Sequence, residues 1–146
     1  MENQQKRLDF IGQIVGKYSL VEQVNYEEYL KAIGLTMAKR AIAINQVPCV
    51  DLTVQDDEWS VQITGISKDS DFKFYLGVEM KRVTLDGRQV TDLFTLVDEG
   101  DQLKILQKET WGNFLEAVIV HEFDGDDWDM TITFGDVTCV RHFRRE

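Results

Sequence analysis

Val137-Thr138-Cys139-Val140-Arg141-His142-Phe143-Arg144-Arg145-Glu146 reads as a strand whose alternation frames the fold. Side chains alternate across a strand, so Val137, Cys139, Arg141 and Phe143 share one face. Three of those four are apolar, which turns that face inward. An arginine on an inward face is costly unless an anion or a dense hydrogen-bond shell meets it. A guanidinium in an apolar chamber is a receptor for one carboxylate, because its planar fork matches that group. The alternative is an edge strand on which Arg141 is simply solvated.

The same period of two runs back to Pro48. Val50-Leu52-Val54, Trp59-Val61-Ile63 and Phe72-Phe74-Leu76 alternate, as do Leu93-Thr95-Val97, Leu103-Ile105, Val118-Val120 and Met130-Ile132-Phe134. Ile119, His121 and Phe123 share a face of their own segment. Turn signals separate the segments, among them Asp56-Asp57, Asp86-Gly87, Glu99-Gly100, Gly112-Asn113, Gly125-Asp126 and Gly135-Asp136. Many short antiparallel strands imply a sandwich or a closed barrel. A meandering barrel is the simplest solution, since closure removes exposed edges.

Ahead of Pro48 the period changes to that of helices. Asn25 is placed to cap a helix, with Glu28 in the capping-box position. Tyr26, Tyr29, Leu30 and Ile33 recur at helical spacing, and Gly34 is the expected stop. Thr36 can cap a second helix from Met37 to Ile44, ended by Asn45 and Pro48. The pair forms a helix-turn-helix. Residues 1–10 are polar and charged, unlike a signal peptide, and are expected to be a short tail before a single domain at 11–146.

Composition narrows the function. The 146 residues suffice for one domain with a sizeable core. Lys and Arg total 16 against 26 Asp and Glu, a net charge of -10. That balance argues against nucleic acid as a partner and against general attraction to anionic membranes. Cys49 and Cys139 make no disulfide framework and no metal motif, so a reducing, cytoplasmic setting is expected. The acidic stretch His121 to Asp129 fails calcium-loop spacing and reads as a solvated hairpin. Cys139 and His121 lack an oxyanion motif and an orienting partner. No catalytic residue, metal or cofactor is expected.

Three stretches carry a family resemblance. Ile14-Val15-Gly16-Lys17-Tyr18-Ser19-Leu20-Val21, followed by Asn25 to Gly34, resembles the opening of the intracellular lipid-binding proteins, the fatty-acid-binding proteins and their cellular retinoid-binding relatives. Phe74-Tyr75-Leu76-Gly77-Val78-Glu79, with Thr84-Leu85-Asp86-Gly87-Arg88-Gln89-Val90, resembles the middle of that family. Asp136 to Phe143 resembles its ending. The likeness spans about residues 14–146 in the family's order. It implies an all-β fold: a ten-stranded, antiparallel, up-and-down β-barrel of the calycin or lipocalin kind, capped by a helix-turn-helix lid over a large cavity.

The resemblance also implies roles. Arg141 and Phe143 match the internal arginine and tyrosine that hold the ligand carboxylate, and His121 stands at a second internal arginine. Tyr26, Tyr29, Leu30, Leu35 and Ala43 match the lid over the portal. Leu85, Asp86 and Arg88 match a portal loop and a polar pair within the cavity, and Ile119, Met130 and Ile132 match its wall. Three positions depart: Phe143 lacks the tyrosine hydroxyl, His121 lacks a permanent charge, and Ser67 replaces a portal phenylalanine. The implied function is a monomeric intracellular carrier of a long-chain fatty acid or similar hydrophobic carboxylate. A retinoid or neutral-lipid carrier, or an interaction module that retains the barrel, stays open. Lys31, Lys39 and Arg40 on the lid are candidates for transient membrane contact, and basic lid residues for nuclear entry.

Overall fold

The structure, a computed structural model, describes residues 2–146. Ten strands follow one another with antiparallel pairing: β1 (Gly16–Val24), β2 (Cys49–Gln55), β3 (Glu58–Thr64), β4 (Ser70–Phe74), β5 (Met80–Val83), β6 (Gln89–Asp98), β7 (Leu103–Trp111), β8 (Leu115–Asp124), β9 (Asp127–Phe134) and β10 (Val137–Arg145). Three helices accompany them, α1 (Glu2–Ile14), α2 (Tyr26–Ala32) and α3 (Met37–Ile44). The sheet order is β4-β3-β2-β1-β10-β9-β8-β7-β6-β5. The last strand therefore returns to pair with the first, which wraps the meander into the expected barrel.

β4 and β5 are the two ends of the sheet and do not pair. Aromatic rings fill the gap. Phe74 stacks on Phe94 of β6 at 3.8 Å between centroids, and Phe72 stacks on the same ring at 6.4 Å. The Gly77 N–H, in the β4–β5 connection, donates to the Phe94 carbonyl at 2.7 Å. The barrel is thus nearly closed by side chains where backbone pairing stops.

The α2–α3 hairpin forms the lid. Gly34 sits at φ 98°, a conformation that favours glycine. Its N–H donates to the Lys31 carbonyl and the Leu35 N–H to the Leu30 carbonyl, both at 3.0 Å, the Schellman closure of α2. The Thr36 hydroxyl accepts from the Lys39 N–H at 3.3 Å and caps α3. The expected Asn25 capping box is absent. Asn25 adopts φ 63° and makes no side-chain cap; its amide instead donates to the Thr138 carbonyl at 3.2 Å. That bond ties the lid to β10.

The segment expected as a tail is instead helical through residues 2–10 and on to Ile14; Met1 lies outside the described residues. Phe10 and Ile14 lie four apart, hence on one helix face. Both are buried, at 8% and 2% exposure. Phe10 meets the Phe123 ring edge-on at 6.0 Å. Arg145 donates to the Gln13 and Val15 carbonyls, the latter at 2.7 Å, so the helix end is held by β10. A polar start masked a short apolar stripe whose partners lie in distant strands.

In β6 the buried parity is Val90, Asp92 and Phe94, not Leu93, Thr95 and Val97. In β8 the buried face is Ala117, Ile119, His121 and Phe123, which keeps the grouping of Ile119 with His121 and Phe123 and leaves Val118 and Val120 on the other side. Both strands carry apolar residues on both faces, so alternation alone cannot orient them. β5, Met80-Lys81-Arg82-Val83, has no clear period in its sequence.

Candidate functional site

A cavity of about 210 Å³ lies inside the barrel beneath α2. That is more than ten times the roughly 10–15 Å³ needed for one water. Val50, Leu52, Trp59, Val61 and Phe72 line one side, and Ile119, Met130 and Ile132 line another. A second cavity of about 440 Å³ lies at the lid, walled by Leu35, Lys39, Ile42, Ala43 and Ser67. Tyr26, Leu30, Leu85 and Asp86 line both and form the waist between them. Gln46 Nε2 donates to Ser67 Oγ at 2.6 Å, linking the end of the lid to the β3–β4 loop.

Arg141 reaches the inner cavity from β10. Its Nε donates to Gln23 Oε1 at 3.2 Å, and its guanidinium carbon lies 4.1 Å from the centre of the Tyr26 ring. Strand pairing places Gln23 directly opposite Arg141. Among the described residues no carboxylate lies within ion-pair range of Arg141. It is therefore half-buried, oriented by an amide and an aromatic face, and electrostatically uncompensated.

The other cationic side chains of the cavity are neutralised. Arg82 bonds Asp92 through Nε and Glu109 through Nη2, the latter at 3.2 Å. Arg88 holds Asp86 at 2.6 Å and Glu109 at 3.0 Å. Burial pushes the Asp86 carboxyl up, but bonds from Arg88 and Thr84 outweigh it and hold the group below its usual range. Burial and the Asp92 charge push the Glu109 carboxyl up. Gln107 Nε2 extends the chain by donating to Asp92 Oδ1 at 3.0 Å.

His121 ends this chain. The Trp128 indole can only donate, so its 3.2 Å bond requires a lone pair on His121 Nδ1. The proton then sits on Nε2, which donates to Gln107 Oε1 at 2.9 Å. Burial lowers the His121 pKa to about 4, so the ring is neutral near pH 7. Both nitrogens are already engaged.

The residues expected around a ligand carboxylate thus separate. Arg141 and His121 line the inner cavity; Phe143 does not, being buried and stacked on Trp128 at 5.0 Å. Tyr29, Leu85, Asp86 and Arg88 line the inner cavity as well. Leu35, Ala43 and Ser67 line only the outer one. Sequence reading missed Arg82, Asp92, Gln107 and Glu109. For Gln107 and Glu109 the signal that could have found them is the parity of β7, where Leu103, Ile105, Gln107 and Glu109 are two apart. Burial raises the Cys139 thiol to about 11, which opposes a thiolate nucleophile there.

A nearly closed ten-stranded barrel with a helical lid and a cavity arginine defines a class of proteins that enclose their ligands. The chain belongs to the lipocalin / cytosolic fatty-acid binding protein family, whose model matches residues 15–146. It is 32% identical over 134 residues to fatty acid-binding protein homolog 5 of Caenorhabditis elegans, covering 92% of this chain and 97% of that one. It is 30% identical over 131 residues to the 14 kDa fatty acid-binding protein of Schistosoma mansoni, with 90% and 96% coverage. A Schistosoma mansoni fatty acid binding protein solved in complex with arachidonic acid superposes with a TM-score of 0.84, at 29% identity and 93% and 98% coverage.

Proposed function

We propose that this protein is an intracellular carrier that encloses a long-chain fatty acid, or a similar hydrophobic carboxylate, in the inner cavity. The observation that carries the reading is Arg141: a cavity guanidinium without a carboxylate partner among the described residues, set at the lid end of a largely apolar chamber. A ligand carboxylate supplies the missing charge and can accept two parallel N–H bonds. Each methylene that leaves water for the apolar wall contributes about 0.8 kcal/mol, so the tail supplies bulk affinity and Arg141 supplies orientation. With His121 neutral and engaged, headgroup recognition falls to Arg141, with Gln23 and Tyr26 positioning it.

The α2–α3 lid opens for exchange, and the protein acts as a monomer in the cytoplasm with access to the nucleus. Lys31 and Lys39 are exposed beside exposed Met37 and Ile42, a basic and apolar surface suited to brief contact with anionic bilayers. Arg40 belongs to the lid's interior: its Nη1 donates to the Leu35 carbonyl at 2.6 Å. The test is native mass spectrometry of the purified protein with extraction of what is bound, run beside Arg141→Ala. An acidic lipid in the wild type that is depleted in the variant supports the carrier. A protein that is empty and refuses added fatty acids defeats it in favour of an interaction module.

A further inference from the structure

We propose that the inner cavity holds a second polar recognition site, the Arg82–Glu109 pair, and that the preferred ligand carries a hydroxyl near the middle of its hydrophobic chain as well as a carboxylate. This rests on the carrier reading and narrows its ligand.

The cavity has two unlike walls. β2 to β4 present Leu52, Trp59, Val61 and Phe72, whereas β5 to β8 set Arg82, Gln107, Glu109 and His121 among Phe94, Ile105, Ile119 and Phe123. A hydrocarbon tail is indifferent to the first wall and poorly matched to the second. Covering the polar wall with methylenes strips water from charged groups and returns no hydrogen bond.

The pair has capacity to spare. Each Glu109 oxygen accepts one arginine bond, from Arg82 or from Arg88, and a carboxylate oxygen can accept two. Arg82 uses Nε and Nη2; its Nη1 has no protein partner among the described residues. The lumen therefore meets an open acceptor beside an open donor. A hydroxyl is the smallest group that is both. A ketone offers no donor and an alkene offers neither.

Strand register places this site along the chain. Arg141 pairs with Met130, which pairs with His121, which pairs with Ile105; Glu109 stands four residues further along β7. Three strand spacings of about 4.8 Å and four residues of about 3.3 Å put the two backbone positions roughly 20 Å apart along the sheet, and side chains that reach inward across its curve bring the two sites to on the order of 10–15 Å. That separation suits a hydroxyl many carbons from the carboxylate and excludes one on the adjacent carbon.

The experiment is competitive displacement of a fluorescent fatty-acid analogue by octadecanoic, 2-hydroxyoctadecanoic and 12-hydroxyoctadecanoic acids. The 12-hydroxy acid should bind about tenfold more tightly than octadecanoic acid, and the 2-hydroxy acid should show no such gain. In the double variant Arg82→Leu with Glu109→Leu, octadecanoic acid should tighten and the 12-hydroxy advantage should vanish. Equal affinity for all three acids in the wild type overturns the hydroxyl site while leaving the carrier reading intact. Failure of all three acids to displace the probe overturns both. The wild-type comparison stands even if the double variant does not fold.

Discussion

The Trp128 indole N–H donates to His121 Nδ1 across 3.2 Å, and that one bond sets the histidine's tautomer. It directs the Nε2 proton to Gln107 and, through it, links Trp128 to Asp92, Arg82, Glu109, Arg88 and Asp86. A position read from the sequence as a headgroup contact is the anchor of an internal polar wall.

His121 should make stability depend on pH. Its folded pKa of about 4 lies below the ordinary 6.5, so the unfolded chain binds a proton that the folded chain refuses. Stability from this residue is complete above the ordinary value and is lost as pH falls toward about 4. At about 1.4 kcal/mol per unit, the loss is a few kcal/mol. Urea unfolding across that range should show a steeper decline in the wild type than in His121→Gln. Parallel declines would refute the assignment.

Arg141→Ala should weaken fatty-acid binding about tenfold to a hundredfold, the worth of hydrogen bonds to a charged group. Stability should hold or rise, because the residue has no charge partner to orphan. Displacement titration and urea midpoints on the same preparations separate the two effects.

Gly34→Ala should cost about 1–2 kcal/mol, because φ 98° is strained for a residue with a Cβ. Among the described residues, no atom outside Gly34 and its two chain neighbours lies within 4 Å of the added carbon, so the cost is backbone strain at the lid turn. Ligand dissociation measured by stopped flow should accelerate as the lid loosens. An unchanged midpoint and rate would show that the turn tolerates the substitution.

Phe10→Ala should destabilise the protein by about 3–5 kcal/mol, as for other buried aromatics. Residues 1–10 acting only as a tail would predict no change. Denaturant midpoints decide between the two.

Replacing Lys31 and Lys39 with glutamate should slow ligand transfer to anionic vesicles and remove its salt dependence, with affinity preserved. Arg40 is better left intact, since its bond to Leu35 belongs to the lid turn. A transfer rate unchanged by the double substitution would discard the membrane-contact surface.

By itself the sequence determined the barrel, the helical hairpin and the inward direction of Arg141. Strands such as β2, β3 and β10 bury one parity of apolar residues, and Thr36 and Gly34 punctuate the lid, all within a few residues of chain. β6 hid its orientation because both of its faces carry apolar side chains, and packing across the barrel chose between them. Only the tertiary structure decided what met the buried polar groups. Asp92 and Glu109 are carboxylates in an acidic chain until Arg82 of β5 and Arg88 of the β5–β6 turn close on them. Phe10 and Ile14 make a helix worth forming only because Phe123 and Tyr18, more than a hundred residues away in the first case, complete its core. Local patterns record which face is apolar, whereas charge pairing and core partners depend on contacts that exist only once the sheet has closed.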